Sequence, residues 1–158
     1  MGLFDFFKKK ETREKEKAQE YERVLAKFIE YADLFVSNNA KKISGLDFSV
    51  ESLIAVDDIL EEASNFYNEM SEDEKLKLIR TTGCYIAEVA RRNFGGKYYW
   101  DRHLEQPIFI TGEPEFEVMI LPLDKVRGRL ENGQEDNIPF YFEGYIEQVQ
   151  KKGVATIV

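Results

Sequence analysis

Three residues carry the functional groups of a reaction centre: Cys84, the only cysteine; Glu88, one helical turn beyond it; and His103, the only histidine. A Ser-His-Asp or Cys-His relay in this chain must use His103, because imidazole is the side chain that moves protons near neutral pH. Cys84 stands at helical spacing from Lys77, Arg80, Glu88 and Arg91, and neighbouring cations lower a thiol's pKa. Against a catalytic reading, no Gly-x-Ser-x-Gly elbow is present. Gly95-Gly96-Lys97 follows a helical stretch and precedes an extended one, the reverse of a phosphate-binding loop. Dinucleotide, zinc-protease and kinase signatures are absent too, so no catalytic residue and no cofactor is assigned. Asp57, Asp58, Glu61 and Glu62 crowd one helix flank. Without a glycine-containing acidic loop they read as a solvated face, and no metal is assigned.

Two groups of residues have the chemistry of binding instead. Arg91, Arg92, Trp100, Arg102 and His103 form a rim where a central helix gives way to strands, suited to a partner's acidic groups. Glu88 to Arg91 and Arg92 also has ion-pair spacing, and both arginines complement a helix C-terminus. The second group is Leu3, Phe4, Phe6 and Phe7 followed by Lys8, Lys9 and Lys10. Its large apolar side chains suit the headgroup boundary of a membrane, and its lysines suit anionic lipids. Myristoylation is not expected, since Phe6 stands where that motif needs Ser or Thr.

The composition is that of a folded protein with an acidic surface. Of 158 residues, 43% are hydrophobic and 13% aromatic, and the net charge is −8. Such a surface repels phosphate backbones, so nucleic acid is not an expected partner. One cysteine cannot form an intramolecular disulfide, and no run approaches the roughly 18 apolar residues of a membrane span. In the opening segment the lysines follow the apolar residues, unlike a signal peptide. A cytoplasmic protein is expected, at most peripheral at the inner membrane face.

The elements that position these residues are organised around Ser71 to Gly96. Ser71 and Glu74 form a capping box, and Gly95-Gly96 stops the helix. At about 100° per residue, Leu76, Ile79, Gly83, Ile86, Ala87, Ala90 and Phe94 share one apolar arc. Lys77, Arg80, Thr81, Cys84, Glu88, Arg91 and Arg92 fill a strip expected to be wet. Gly83, Ala87 and Ala90 permit another backbone to approach closely. Residues 1–20 read as a tail and charged helical lead-in, and 21–158 as one α+β domain. A first helix runs from Tyr21 to the loop at Asn38, and Ser49 caps a second. Lys97–Asp101, Pro107–Thr111 and Phe116–Leu121 read as three strands of an antiparallel meander. Leu123–Leu130 is a short helix, Pro139 opens a last one, and Val154–Val158 is an edge strand or a frayed end. Helices one to three are expected to form a bundle, with the third on the sheet.

A resemblance emerges from these residues. Leu46-Asp47-Phe48-Ser49 with Glu51-Ser52-Leu53, then Gly83-Cys84-Tyr85 with Glu88, Arg91-Arg92 and Gly95-Gly96, and finally Glu131-Asn132-Gly133 with Glu135-Asp136, resemble a group of uncharacterised bacterial α+β domains, domains of unknown function, over about residues 46–150. The resemblance implies a fold type and a bacterial cytoplasmic setting, and no activity. Acidic charge, abundant aromatics and the missing catalytic constellation point to a non-enzymatic protein-interaction domain, of the inhibitor or immunity type toward a basic partner. Two alternatives stand beside it. One is an enzyme of unrecognised type with a cleft between central helix and sheet, using Glu88, Cys84 or His103. The other is a peripheral membrane protein held by the Phe/Lys segment.

Overall fold

The computed structural model describes residues 2–158, so Met1 of the expected tail lies outside the described residues. The fold is α+β, with α1 (Leu3–Asn39), α2 (Leu53–Ser64), α3 (Glu72–Phe94), β1 (Lys97–Asp101), β2 (Gln106–Thr111), β3 (Glu117–Ile120), α4 (Pro122–Asn132), α5 (Ile138–Gln150) and β4 (Val154–Ile157).

α3 begins and ends where its chemistry requires. The Ser71 hydroxyl accepts the Glu74 N–H at 3.2 Å, and a Glu74 carboxylate oxygen accepts the Ser71 N–H at 2.8 Å. Gly95 stops the helix at φ +77°, a conformation that side chains with a Cβ adopt reluctantly. The strip expected to be wet is only partly so. Thr81, Cys84 and Glu88 are buried with the apolar arc, because α1 covers that side of α3. Lys77, Arg80 and Arg92 stay exposed.

Gly83 is the point of closest approach to α4. A Cβ there would stand 3.2 Å from Leu123 Cα and 2.6 Å from Leu123 Cδ1. The first of those contacts is with backbone, which moves only with the whole helix. Gly83→Val should therefore destabilise the protein by about 1–3 kcal/mol through overpacking, read as a lowered urea midpoint. A midpoint unchanged from wild type would show that α3 and α4 separate freely.

The expected bundle of helices one to three is corrected. α1 and α4 flank α3, while α2 packs against α4 and α5. The regular part of α2 also starts one turn later than expected, at Leu53. Ser49 still acts locally, its hydroxyl accepting the Ser52 N–H at 3.1 Å. The sheet is corrected as well: it has four strands in the order β1-β2-β3-β4 and is mixed, not a three-stranded antiparallel meander. β1, β2 and β3 pair antiparallel as expected, but β4 pairs parallel to β3, with Val118 opposite Ala155 and Ile120 opposite Ile157. Parallel neighbours need a long crossover, and the segment containing α4 and α5 supplies it. β2 packs on α3 and α4, and α5 packs on β3 and β4.

Candidate functional site

α1 differs from the other helices in that half of it packs on no core residue among the described residues. From Leu3 to Glu20 every residue is exposed, and packing against the core begins at Tyr21. Neither glycine nor proline interrupts the run from Leu3 to Asn39, so the lead-in and the first core helix are one continuous rod of 37 residues, about 55 Å long. Packing of Phe28, Ala32 and Phe35 into the core holds its base.

The free tip carries the Phe/Lys segment. Leu3, Phe4, Phe6 and Phe7 are 57 to 75% exposed and belong to no core cluster among the described residues. Phe6 and Phe7 meet edge to face at 6.1 Å, and Lys8 Nζ stands 5.7 Å from the Phe4 ring centre. Leu3 to Phe7 occupy about 6 Å along the axis, and the three lysines form the next turn. Between the lysines and the core lies Glu11 to Glu20, with four acids against three bases. Lys15 pairs with Glu11 there at 3.5 Å. No helix among the described residues is long and apolar enough to cross a membrane.

The expected rim divides into two places. Arg91 and Arg92 turn inward on Glu88, which is completely buried: Arg91 Nε donates to Glu88 Oε2 at 2.7 Å, Arg91 Nη2 to Oε1 at 2.8 Å and Arg92 Nε to Oε1 at 3.2 Å. The Tyr98 hydroxyl adds a bond to Oε2 at 2.7 Å. Burial pushes the Glu88 pKa up, but Arg91, Tyr98 and Arg92 outweigh it and hold the carboxyl below its usual range. Trp100 lies on β1, and Arg102 and His103 occupy the exposed β1–β2 turn. Asp101 fixes that turn by accepting the His103 and Leu104 N–H groups at 2.8 and 3.0 Å.

Cys84, Glu88 and His103 do not form a relay. Glu88 is saturated by its partners, and His103 is in a solvent-exposed turn. Burial, reinforced by Glu88 and opposed by Arg80, pushes the Cys84 thiol up to about 12, so it stays protonated and a poor nucleophile at neutral pH. Of the four acids of α2, Asp58, Glu61 and Glu62 are exposed as expected, and Asp57 alone is buried. Asp57 accepts two bonds from buried Arg129, at 2.8 and 3.1 Å, and Glu61 binds the same guanidinium.

Phe48, Ser52, Tyr85 and Arg92, four of the residues quoted for the resemblance, meet in one packing node. Phe48 stacks on Tyr85 at 4.6 Å, the Arg92 guanidinium lies 3.6 Å over the Phe48 ring, and the Tyr85 and Ser52 hydroxyls are 2.7 Å apart. The Phe48 N–H donates to the Tyr85 hydroxyl at 3.0 Å, while Asn93 donates to the Phe48 carbonyl at 2.9 Å. These contacts hold the 46–52 turn at φ +62° for Phe48. Their role is to join the turn to α3. Compared with protein-family models, curated proteins and solved structures, the chain matches none.

In the sequence the exposed lead-in and the first core helix read as separate elements. The signal that joins them is the uninterrupted helical composition between Leu3 and Asn39.

Proposed function

We propose that this protein is a non-enzymatic domain held at anionic membrane surfaces by the tip of α1. The observation that carries the reading is the free helical rod with Leu3, Phe4, Phe6 and Phe7 exposed at its end and three lysines on the next turn. Large apolar side chains of this kind sink about 5–10 Å into the boundary between headgroups and acyl chains. Lys8, Lys9 and Lys10 then stand at the level of the headgroups.

The remainder of the rod answers the objection that a chain of net charge −8 is repelled by anionic lipid. Glu11 to Glu20 separate the tip from the domain by about 15 Å of helix. That exceeds the Debye length of about 8 Å at physiological ionic strength, so repulsion of the domain is largely screened. Each lysine contributes about 1 kcal/mol near such a surface, and each large apolar side chain about 1.5–3 kcal/mol if fully buried. Partial burial and the loss of motional freedom leave reversible binding. Self-association along α1 is the weaker alternative, because Lys10, Glu14 and Lys17 interrupt the apolar side between the tip and Tyr21.

Sedimentation with vesicles tests the reading. The full chain should sediment with phosphatidylserine-containing vesicles, fail to sediment with pure phosphatidylcholine, and be released by added salt. The combined Phe4→Ser, Phe6→Ser and Phe7→Ser variant should remain in the supernatant with an unchanged melting temperature. Equal sedimentation of variant and wild type would remove the membrane reading. A lowered melting temperature would instead assign these phenylalanines to the core.

A further inference from the structure

A cavity of about 370 Å³ opens between the packed half of α1, the middle of α3, the β1–β2 hairpin and the start of α4. Val24, Phe28, Leu76, Trp100 and Leu123 give it apolar walls. Its volume is within the range of small-molecule sites.

Two features distinguish this cavity from a packing defect. Gln106, at the start of β2, lines it while only 6% exposed, and Gln106 Oε1 has no hydrogen-bond partner among the described residues. Native proteins seldom leave a buried acceptor unpaired. The second feature is charge. Lys27, Arg80 and Arg127 line the cavity against one acid, Glu105. Among the described residues Arg80 makes no ion pair, Arg127 pairs only with exposed Asp124 at 3.1 Å, and Lys27 reaches Glu30 at 4.0 Å. This is an excess of positive charge on an acidic protein.

We propose that the cavity binds a small amphiphilic carboxylate whose apolar body carries an N–H or O–H donor. The body occupies the walls formed by Phe28, Trp100 and Leu123, the carboxylate meets Arg80 and Arg127, and the donor satisfies Gln106 Oε1. Those three requirements together define the ligand class. A purely apolar ligand leaves Gln106 and the arginines unanswered, and a small inorganic anion leaves the walls wet. The binding is independent of the membrane reading, since no residue of the α1 tip lines the cavity.

Trp100 is the only tryptophan and lines the cavity, so its fluorescence reports occupancy directly. The probes are N-octanoylglycine, which has chain, amide N–H and carboxylate; its neutral glycinamide counterpart; and octanoate, which lacks the N–H. All are used below their aggregation concentrations, on the full chain and on the Phe4→Ser/Phe6→Ser/Phe7→Ser variant, with calorimetry in parallel. N-octanoylglycine should give saturable quenching, equal in both proteins, and bind about tenfold more tightly than either control. Arg80→Gln should remove the preference over the glycinamide. Gln106→Met should remove the preference over octanoate while leaving the unliganded fold at least as stable. Absence of saturable fluorescence change and of heat with all three probes would overturn the proposal. Binding that ignores Arg80→Gln and Gln106→Met alike would overturn it equally.

Discussion

Asp57→Ala should destabilise the protein by about 3–5 kcal/mol, the usual cost of leaving a buried charge without its partner. Arg129 is completely buried on α4, and Asp57 takes its guanidinium on both carboxylate oxygens. Asp57 also accepts the Ile138 N–H at 2.9 Å and Asn137 Nδ2 at 3.1 Å, so one side chain ties α2 to α4 and to the first turn of α5. Losing it leaves buried Arg129 with Glu61 as its remaining carboxylate and strands the Ile138 N–H. Urea unfolding at neutral pH measures the cost. Combining Asp57→Leu with Arg129→Met should recover most of it, because removing both charges removes the desolvation penalty as well. Recovery stays incomplete, since Ile138 still lacks its acceptor. A single-variant loss below about 1 kcal/mol would show that water reaches Arg129, as it does for surface pairs.

Glu88→Gln should cost about 1.5–3 kcal/mol at pH 7, the range for hydrogen bonds to charged groups, because Arg91 and Arg92 keep partial access to water. The penalty should shrink with acid. Because the folded Glu88 pKa is held below its ordinary value, its stabilising contribution is complete above the unfolded value of about 4.3. That contribution is lost as pH falls through the lower folded value. Wild type and variant should therefore differ most at pH 7 and converge only as pH falls through the lowered folded value, where both carry an uncharged group. Urea midpoints across this range test the sign. A difference that does not change with pH would assign the effect to the shape of the side chain and not to its charge.

Both predictions concern residues that looked like candidates for chemistry and are instead held by their neighbours. Asp57 belongs to an acid-rich flank that reads as a solvated face, and Glu88 lies one turn from the only thiol. Each is consumed by arginine. What lies free is elsewhere: the tip of α1, and the cavity lined by Gln106 and Arg80. In the sequence Gln106 only separates two strands, and nothing local marks its carbonyl as unpaired.

Short-range chemistry was legible before any fold was known. The Ser71–Glu74 capping box, the stop at Gly95, the entry of Pro139 into the last helix and the strand Lys97–Asp101 depend on residues within one or two turns of each other. Such signals survive because a backbone donor at a helix end must be satisfied locally or by water. The small residue at Gly83 likewise announced a close helix contact, and Leu123 provides it. The sequence also placed four large apolar residues beside three lysines, and their composition alone suggested lipid.

Tertiary structure decided which of the charged residues would lose their water. Arg129 and Asp57 are 72 positions apart, and no periodicity distinguishes that arginine from the exposed ones around it. Thr81, Cys84 and Glu88 read as a wet strip until α1 lies across them. β4 reads equally well as an edge or a frayed end until the α4–α5 crossover brings it alongside β3 in parallel. Helical periodicity reports that a face is apolar, and burial of a polar group depends on a partner that only the folded chain brings within reach.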